Sequence, residues 1–141
     1  MKKVIYSLSL LLVSFISNAQ SKPVKNIILM IGDGMGAAQV YAGLIANHGW
    51  LNLEKVQFVG FHKNQSTSDF VTDSGAGATA FSIGEKTHNS AIGVDAFDVA
   101  KPTILEIANQ NNKKTGLVVS CSIEHATPAA FVSHQPQRSM F

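Results

Sequence analysis

Asn26-Ile27-Ile28-Leu29-Met30-Ile31 is an unbroken apolar run that stops abruptly at Gly32-Asp33-Gly34-Met35-Gly36. Without polar alternation, a run of this length fits a strand covered on both faces, as in parallel sheets. Ligands of open α/β sheets gather at the carboxyl ends of such strands. The glycines flanking Asp33 allow a tight turn that presents its carboxylate freely, and carboxylate oxygens suit Mg²⁺ and also bind Zn²⁺. Read alone, Gly-Asp-Gly is more often just a turn. No Gly-Lys-Ser/Thr follows, so the pattern is not a nucleotide-binding loop.

Two further segments repeat this layout. Thr72-Asp73-Ser74-Gly75-Ala76-Gly77-Ala78-Thr79-Ala80 sets an acid beside a serine at the start of a small-residue helix. Unpaired N–H groups and the positive end of the dipole favour phosphate or sulfate there. The pair reads either as a nucleophile with its neighbour or as an ordinary helix cap. The short run 117–120 then leads into Glu124-His125-Ala126-Thr127-Pro128-Ala129-Ala130, with His134 and Arg138 beyond. Arg138 is the sole arginine, and its planar fork suits phosphate in a way lysine does not, although a lone arginine is also an ordinary surface residue. Strands are expected at 25–31, 56–61 and 117–121, and helices at 37–47, 75–83, 103–112 and 128–134, with irregular stretches at 62–70 and 85–101. This alternation implies a mostly parallel sheet between helix layers. Trp50, Phe58 and Phe61 read as packing residues.

In this order the segments closely resemble the alkaline phosphatase family, over about Lys25 to Arg138. The resemblance is carried by Asn26–Gly36, Val71–Ala80, Gly84-Glu85-Lys86-Thr87-His88-Asn89 with Gly93-Val94-Asp95, Pro102–Glu106 and Ala126–Ala130. It implies a three-layer α/β/α sandwich with a mostly parallel sheet, of which residues 20–141 would be an incomplete N-terminal part. It further implies that Ser74 is the phosphorylated nucleophile on one zinc ion. Asp33 would bridge that zinc and a magnesium, Thr127 would be a magnesium ligand, Arg138 would clamp two phosphate oxygens, and Asp73 would hold that arginine rather than mainly cap the helix. His125 stands where one branch of the family has Asp and another has His. An imidazole there removes a charge and an oxygen, and so shifts the third site toward zinc. His48, His62, His88 and His134 match no ligand position.

The implied activity is metal-dependent hydrolysis of small phosphate monoesters through a phosphoserine, with two zinc ions, one magnesium and a homodimeric complete enzyme. Zinc binding would lower the pKa of the serine hydroxyl, taking the place of a histidine base, and Arg138 would offset charge on the equatorial oxygens. The family's remaining Asp, Glu and His ligands belong to a C-terminal half not found before Phe141, so these residues alone are expected to be inactive. The competing reading is a truncated product that binds phosphate or metal weakly. A sulfatase of the same superfamily would need a modification sequence that is not here, and Asp73-Ser74 with Arg138 favours monoesters over diesters.

Hydrophobic residues make up 45% and charged ones 14% of the 141 residues, which excludes compositional disorder. Lys2 and Lys3, the apolar stretch from Val4 to Ile16, and Ser17-Asn18-Ala19 have the form of a secretory signal peptide over residues 1–19, implying a periplasmic or secreted product without a stable membrane anchor. Cleavage after Ala19 takes two lysines from eleven basic residues and leaves nine against nine acidic ones. No basic face remains to bind nucleic acid. Lys113 and Lys114 are expected at the end of a helix opened by Pro102 and closed by Gly116. Cys121 is alone and reads as a small buried residue on a strand, with any disulfide partner lying elsewhere.

Overall fold

The computed structural model describes residues 24–140, so the expected signal peptide lies outside the described residues. The chain divides into two compact units, Met1–Ile31 and Gly32–Phe141. In the first, the described residues 24–31 carry neither helix nor strand, and the expected strand at 25–31 is not formed. A strand exists through its ladder, and the described residues offer this apolar run no neighbour to pair with.

Among the described residues, four helices order the second unit. Gly36 opens α1 (Ala37–Ala46) in an extended conformation, its N–H donating to the Gln39 side chain at 3.1 Å. A 3₁₀ turn follows at Asn52–Lys55. Helix α2 (Ser74–Ile83) starts at Asp73, whose carboxylate accepts the Ala76 N–H at 2.9 Å, and ends at Gly84, where φ is 78°. The left-handed residue turns the last carbonyls into a cap, which glycine does without steric cost.

Helix α3 (Ile104–Gln110) begins with a reciprocal cap. The Thr103 hydroxyl accepts the Glu106 N–H at 3.2 Å, and the Glu106 carboxylate accepts the Thr103 N–H at 2.8 Å. It runs seven residues, shorter than the expected 103–112. Asn112 takes a φ of 57°, so asparagine rather than Gly116 turns the chain, and Lys113 and Lys114 lie past the end. Helix α4 (Ala126–Ala129) also departs from the expected 128–134. The chain leaves it early because Gln135 pairs with Ile92, through N–H···O bonds of 2.8 and 2.9 Å.

The mostly parallel sheet expected from the sequence is not present among the described residues. They hold only two isolated antiparallel bridges, Ile92–Gln135 and Val94–Ala100. The segments 56–61 and 117–121 have no ladder, and Phe58, Phe61 and Val118 stand fully exposed, at 91%, 105% and 102%. Trp50 is half exposed and Cys121 exposed, so the packing roles expected for these residues are not met: each needs a covering layer that the described residues do not supply.

The core lies instead around α2, which packs against α3 and α4. Ala78, Ala130 and Phe131 form its centre, with Leu105 and Leu117 against them. The irregular stretch 85–101 contributes the buried residues Thr87 and Ala91 to Asp95. Small residues on α2 permit the approach: a Cβ on Gly75 would sit 3.0 Å from the Ala91 carbonyl oxygen. At Gly93, where φ is 59°, a Cβ would lie 2.1 Å from the Ser133 oxygen, so no side chain fits. Three threonines stitch these pieces together. Thr103 donates to the Phe131 carbonyl at 2.8 Å, Thr87 to the Asp95 carbonyl at 3.0 Å, and Thr79 to the Ala91 carbonyl at 3.1 Å while accepting the Gly93 N–H at 3.0 Å.

The two bonds of the fully buried Thr79 give a direct test. Thr79→Val keeps the shape and strands one donor and one acceptor, which costs about 1–3 kcal/mol each when a buried group loses its partner. The urea midpoint of the full-length protein is expected to fall accordingly in Thr79→Val and to change much less in Thr79→Ser. Equal midpoints for Val and Ser would remove the hydroxyl from the account of this core.

Candidate active site

The turn at Gly32–Met35 positions Asp33. The Met35 N–H bonds the Gly32 carbonyl at 3.1 Å, and Gly34 takes a φ of 66°, a conformation that lets the tight turn close behind the carboxylate. The Asp33 side chain then meets two residues far away in the chain. The Ser74 hydroxyl donates to Oδ1 at 3.2 Å, and the Thr127 hydroxyl donates to Oδ2 at 2.6 Å. Ser74 is the first residue of α2 and Thr127 lies in the first turn of α4. Three of the residues singled out in the sequence are therefore brought to one place by three separate segments.

Asp73 works beside them in two ways. Its Oδ1 caps α2, while its Oδ2 accepts a bond from Arg138 Nη1 at 3.2 Å. The cap expectation set aside on the strength of the family resemblance therefore returns: the carboxylate has two oxygens, and each of the two roles uses one. Partial burial raises the Asp73 pKa, but the Ala76 and Ser90 N–H groups and the Arg138 guanidinium outweigh it, so the carboxyl titrates below its ordinary value. Arg138 is half-buried, with a third of its side chain accessible, and lines a recess of about 500 Å³ together with Ser122, Glu124, His125, Ala126 and Ser139.

His125 is the residue before α4, its backbone extended and its ring making no cap bond. It shares the recess with Arg138, and the described contacts do not join it to Asp33. Oxygens of Asp33, Ser74 and Thr127 converge as a hard-cation donor set would. Among the described residues, however, no group of three or more His, Cys, Asp and Glu could hold a metal ion. The donor set thus fits part of a magnesium or bridging site, and falls short of a complete zinc site, which takes four ligands.

Two of the remaining histidines, His88 and His134, have hydrogen-bond partners. His88 Nε2 lies 2.7 Å from Asp98 Oδ1, and its Nδ1 lies 3.0 Å from the Asn89 carbonyl oxygen. Both neighbours can only accept, so the doubly protonated ring satisfies both, and the Asn89 carbonyl followed by Asp98 raises the His88 pKa. His134 bonds the Gly93 carbonyl at 2.6 Å and Glu106 at 3.1 Å. Partial burial disfavours its charged form, but these two acceptors prevail and raise its pKa.

Asn89, in a stretch that the sequence reading left irregular, touches the Asp73–Ser74 segment directly. Its Oδ1 accepts the Asp73 N–H at 3.1 Å and its Nδ2 donates to the Val71 carbonyl at 3.0 Å. The only signal in the sequence was its place in the run Lys86-Thr87-His88-Asn89.

The chain is similar to known proteins of one family. The alkaline phosphatase family model matches residues 24–141. The alkaline phosphatase of Escherichia coli K12 is 40% identical over 130 residues, which are 85% of this chain and 28% of that protein. Among solved structures, the alkaline phosphatase of the Antarctic bacterium TAB5 is 45% identical with a TM-score of 0.81, over 84% of this chain and 35% of that one. A variant of the TAB5 enzyme in which a histidine is replaced by aspartate, with magnesium bound in the M3 site, is 44% identical with a TM-score of 0.74, over 77% of this chain and 31% of that one. The chain spans about a third or less of the length of these relatives. Among the described residues, no helix is long and apolar enough to cross a membrane. A family match over most of the chain and a shared backbone course carry the same conclusion: this chain has the alkaline phosphatase-like fold and belongs to the alkaline phosphatase family.

Proposed function

We propose that this chain supplies the nucleophile and phosphate-binding part of a metal-dependent phosphomonoesterase. The observation that carries the reading is the Asp33 carboxylate shared between the Ser74 and Thr127 hydroxyls, with Arg138 held alongside by Asp73. The hydroxyl of Ser74 would attack phosphorus in line, the ester oxygen would leave, and water would later release phosphate from phosphoserine. Ser74 starts a ten-residue helix, so backbone N–H groups and the positive end of the dipole face the transferred group. Arg138 would hold two equatorial oxygens through its fork, and Asp73 keeps that fork aimed.

Asp33 lies within reach of the Ser74 proton, but a carboxylate is far too weak a base to generate an alkoxide. Metal ions, when bound, would lower the pKa of the serine hydroxyl and offset phosphate charge, as zinc and magnesium do in such chemistry. Asp33, Ser74 and Thr127 would be their ligands here, with His125 beside the third site. At the length of its relatives, the enzyme would pair the apolar segments 25–31, 56–61 and 117–121 into the parallel sheet of a three-layer sandwich. We also assign residues 1–19 to a signal peptide, residues 20–141 to the catalytic domain, and the product to the periplasm or exterior. Two zinc ions, one magnesium and a homodimer complete the reading, with small phosphate monoesters as substrates.

Three variants of the full-length protein test the assignment with p-nitrophenyl phosphate. Ser74→Ala is expected to lower kcat by at least about three orders of magnitude, since it removes the hydroxyl proposed to accept the phosphoryl. Wild-type turnover in that variant would exclude a phosphoserine at this position. Arg138→Ala is expected to weaken inhibition by inorganic phosphate about 10-fold to 100-fold, the worth of one or two charge-assisted hydrogen bonds, with metal content unchanged. An unaltered inhibition constant would return Arg138 to the solvated surface. If residue 125 faces the third metal site, His125→Asp would add a carboxylate there, and hard ions prefer oxygen. Magnesium in the M3 site of the TAB5 histidine-to-aspartate variant supports this expectation. At fixed zinc, His125→Asp should reach half-maximal activation at lower magnesium than wild type, and identical titrations would make His125 a structural residue only.

A further inference from the structure

The loop 88–91 takes no part in the chemistry above, yet it lies flat against the start of α2. A Cβ on Gly75 would stand 3.0 Å from the Ala91 oxygen and 3.3 Å from the Ser90 carbonyl carbon. From this loop the planar amide of Asn89 reaches across to the other segment and binds two of its backbone groups, the Asp73 N–H and the Val71 carbonyl. Asparagine suits the task because its short amide offers a donor and an acceptor, which is what a peptide group of a neighbouring strand would offer.

Asn89 is itself held on both sides. Its backbone N–H donates to the Ser68 hydroxyl at 2.9 Å, and its carbonyl oxygen meets His88 Nδ1 at 3.0 Å, while the same ring is tied to Asp98 at 2.7 Å. The backbone so gripped carries the next two side chains of the site. The Asp73 carboxylate reaches Arg138, and the Ser74 hydroxyl reaches Asp33. A rotation of the 71–73 peptides would swing both together, and catalytic geometry tolerates only small misplacements.

We propose that Asn89 is a positioning residue for this site: by clamping the backbone of residues 71–73 from the side of the 88–91 loop, it sets the direction of Asp73 toward Arg138 and of Ser74 toward Asp33. The proposal rests on the roles given above to Ser74 and Arg138, and it adds a residue that would act through the backbone of residues 71–73.

The test compares full-length wild type, Asn89→Ala, Asn89→Asp, Asp73→Ala and the Asn89→Ala/Asp73→Ala double variant, by amide hydrogen exchange and by inorganic phosphate inhibition of p-nitrophenyl phosphate hydrolysis. Asn89→Ala should speed exchange of the Asp73 N–H and raise the phosphate inhibition constant about tenfold, the worth of one to two hydrogen bonds. Asn89→Asp keeps the acceptor for that N–H and should recover part of both effects, which also covers the case in which the alanine variant does not fold. In the Asp73→Ala background, Asn89→Ala should add little to the inhibition constant, because the route to Arg138 is already cut. Unchanged exchange would overturn the clamp. Faster exchange with unaltered inhibition, or effects that multiply in the double variant, would overturn the positioning role. A wild type without phosphatase activity would instead overturn the functional reading, while the exchange rate still decides the clamp.

Discussion

Everything around the site depends on how the Asp73 carboxylate divides its two oxygens. One closes the first turn of α2 through Ala76, and the other holds Arg138 across 65 residues of chain. The first bond fixes where Ser74 stands, because Ser74 is the next residue and its backbone belongs to the same turn. The second fixes where the guanidinium lining the recess stands. A single side chain therefore couples the position of the nucleophile to the position of the group that would receive phosphate oxygens, and glutamate, one methylene longer, would not serve both at the same reach.

The small core explains why this coupling is stiff despite the few large side chains involved. Gly75, Ala76 and Ala78 let the 88–93 stretch and α4 press against α2, and Thr79, Thr87 and Thr103 tie the touching backbones by hydroxyl bonds. No buried side-chain nitrogen or oxygen among the described residues is left without a partner. In a core with little apolar volume, threonine does double duty, because its methyl fills space while its hydroxyl satisfies a carbonyl that no ladder reaches.

The site was more legible in the sequence than the fold, for a physical reason. Asp33, Ser74 and Thr127 each follow a break in apolar character, and chemistry at such breaks depends on local turns that short stretches of sequence dictate, such as the glycine at position 34. The apolar runs 25–31, 56–61 and 117–121 were equally clear as patterns. A strand, however, is a relation between two segments, and the pattern of one segment says nothing of whether its neighbour is there. The same holds for Phe58, Phe61 and Cys121, whose burial needs a covering layer. The end of α3 was misplaced because Asn112 tolerates the left-handed turn that was assigned to Gly116. Asn89 was invisible as a clamp, since its amide acts on residues 16 and 18 positions away.

The Asp33 geometry also says what the site still asks for. Ser74 and Thr127 each spend their one hydroxyl proton on an Asp33 oxygen, which leaves the lone pairs of both hydroxyl oxygens turned away from the carboxylate. In this arrangement the single negative charge of Asp33 is met only by two hydroxyl dipoles. A hydroxyl donating to a carboxylate is polarised toward deprotonation, yet a serine hydroxyl becomes an effective nucleophile only with further activation. The missing ingredient is positive charge close to these oxygens. Arg138 stands on the Asp73 side, bonded there through Nη1, and the proposed phosphoryl transfer therefore calls for cations beside Asp33, whose remaining ligands would come from outside the described residues.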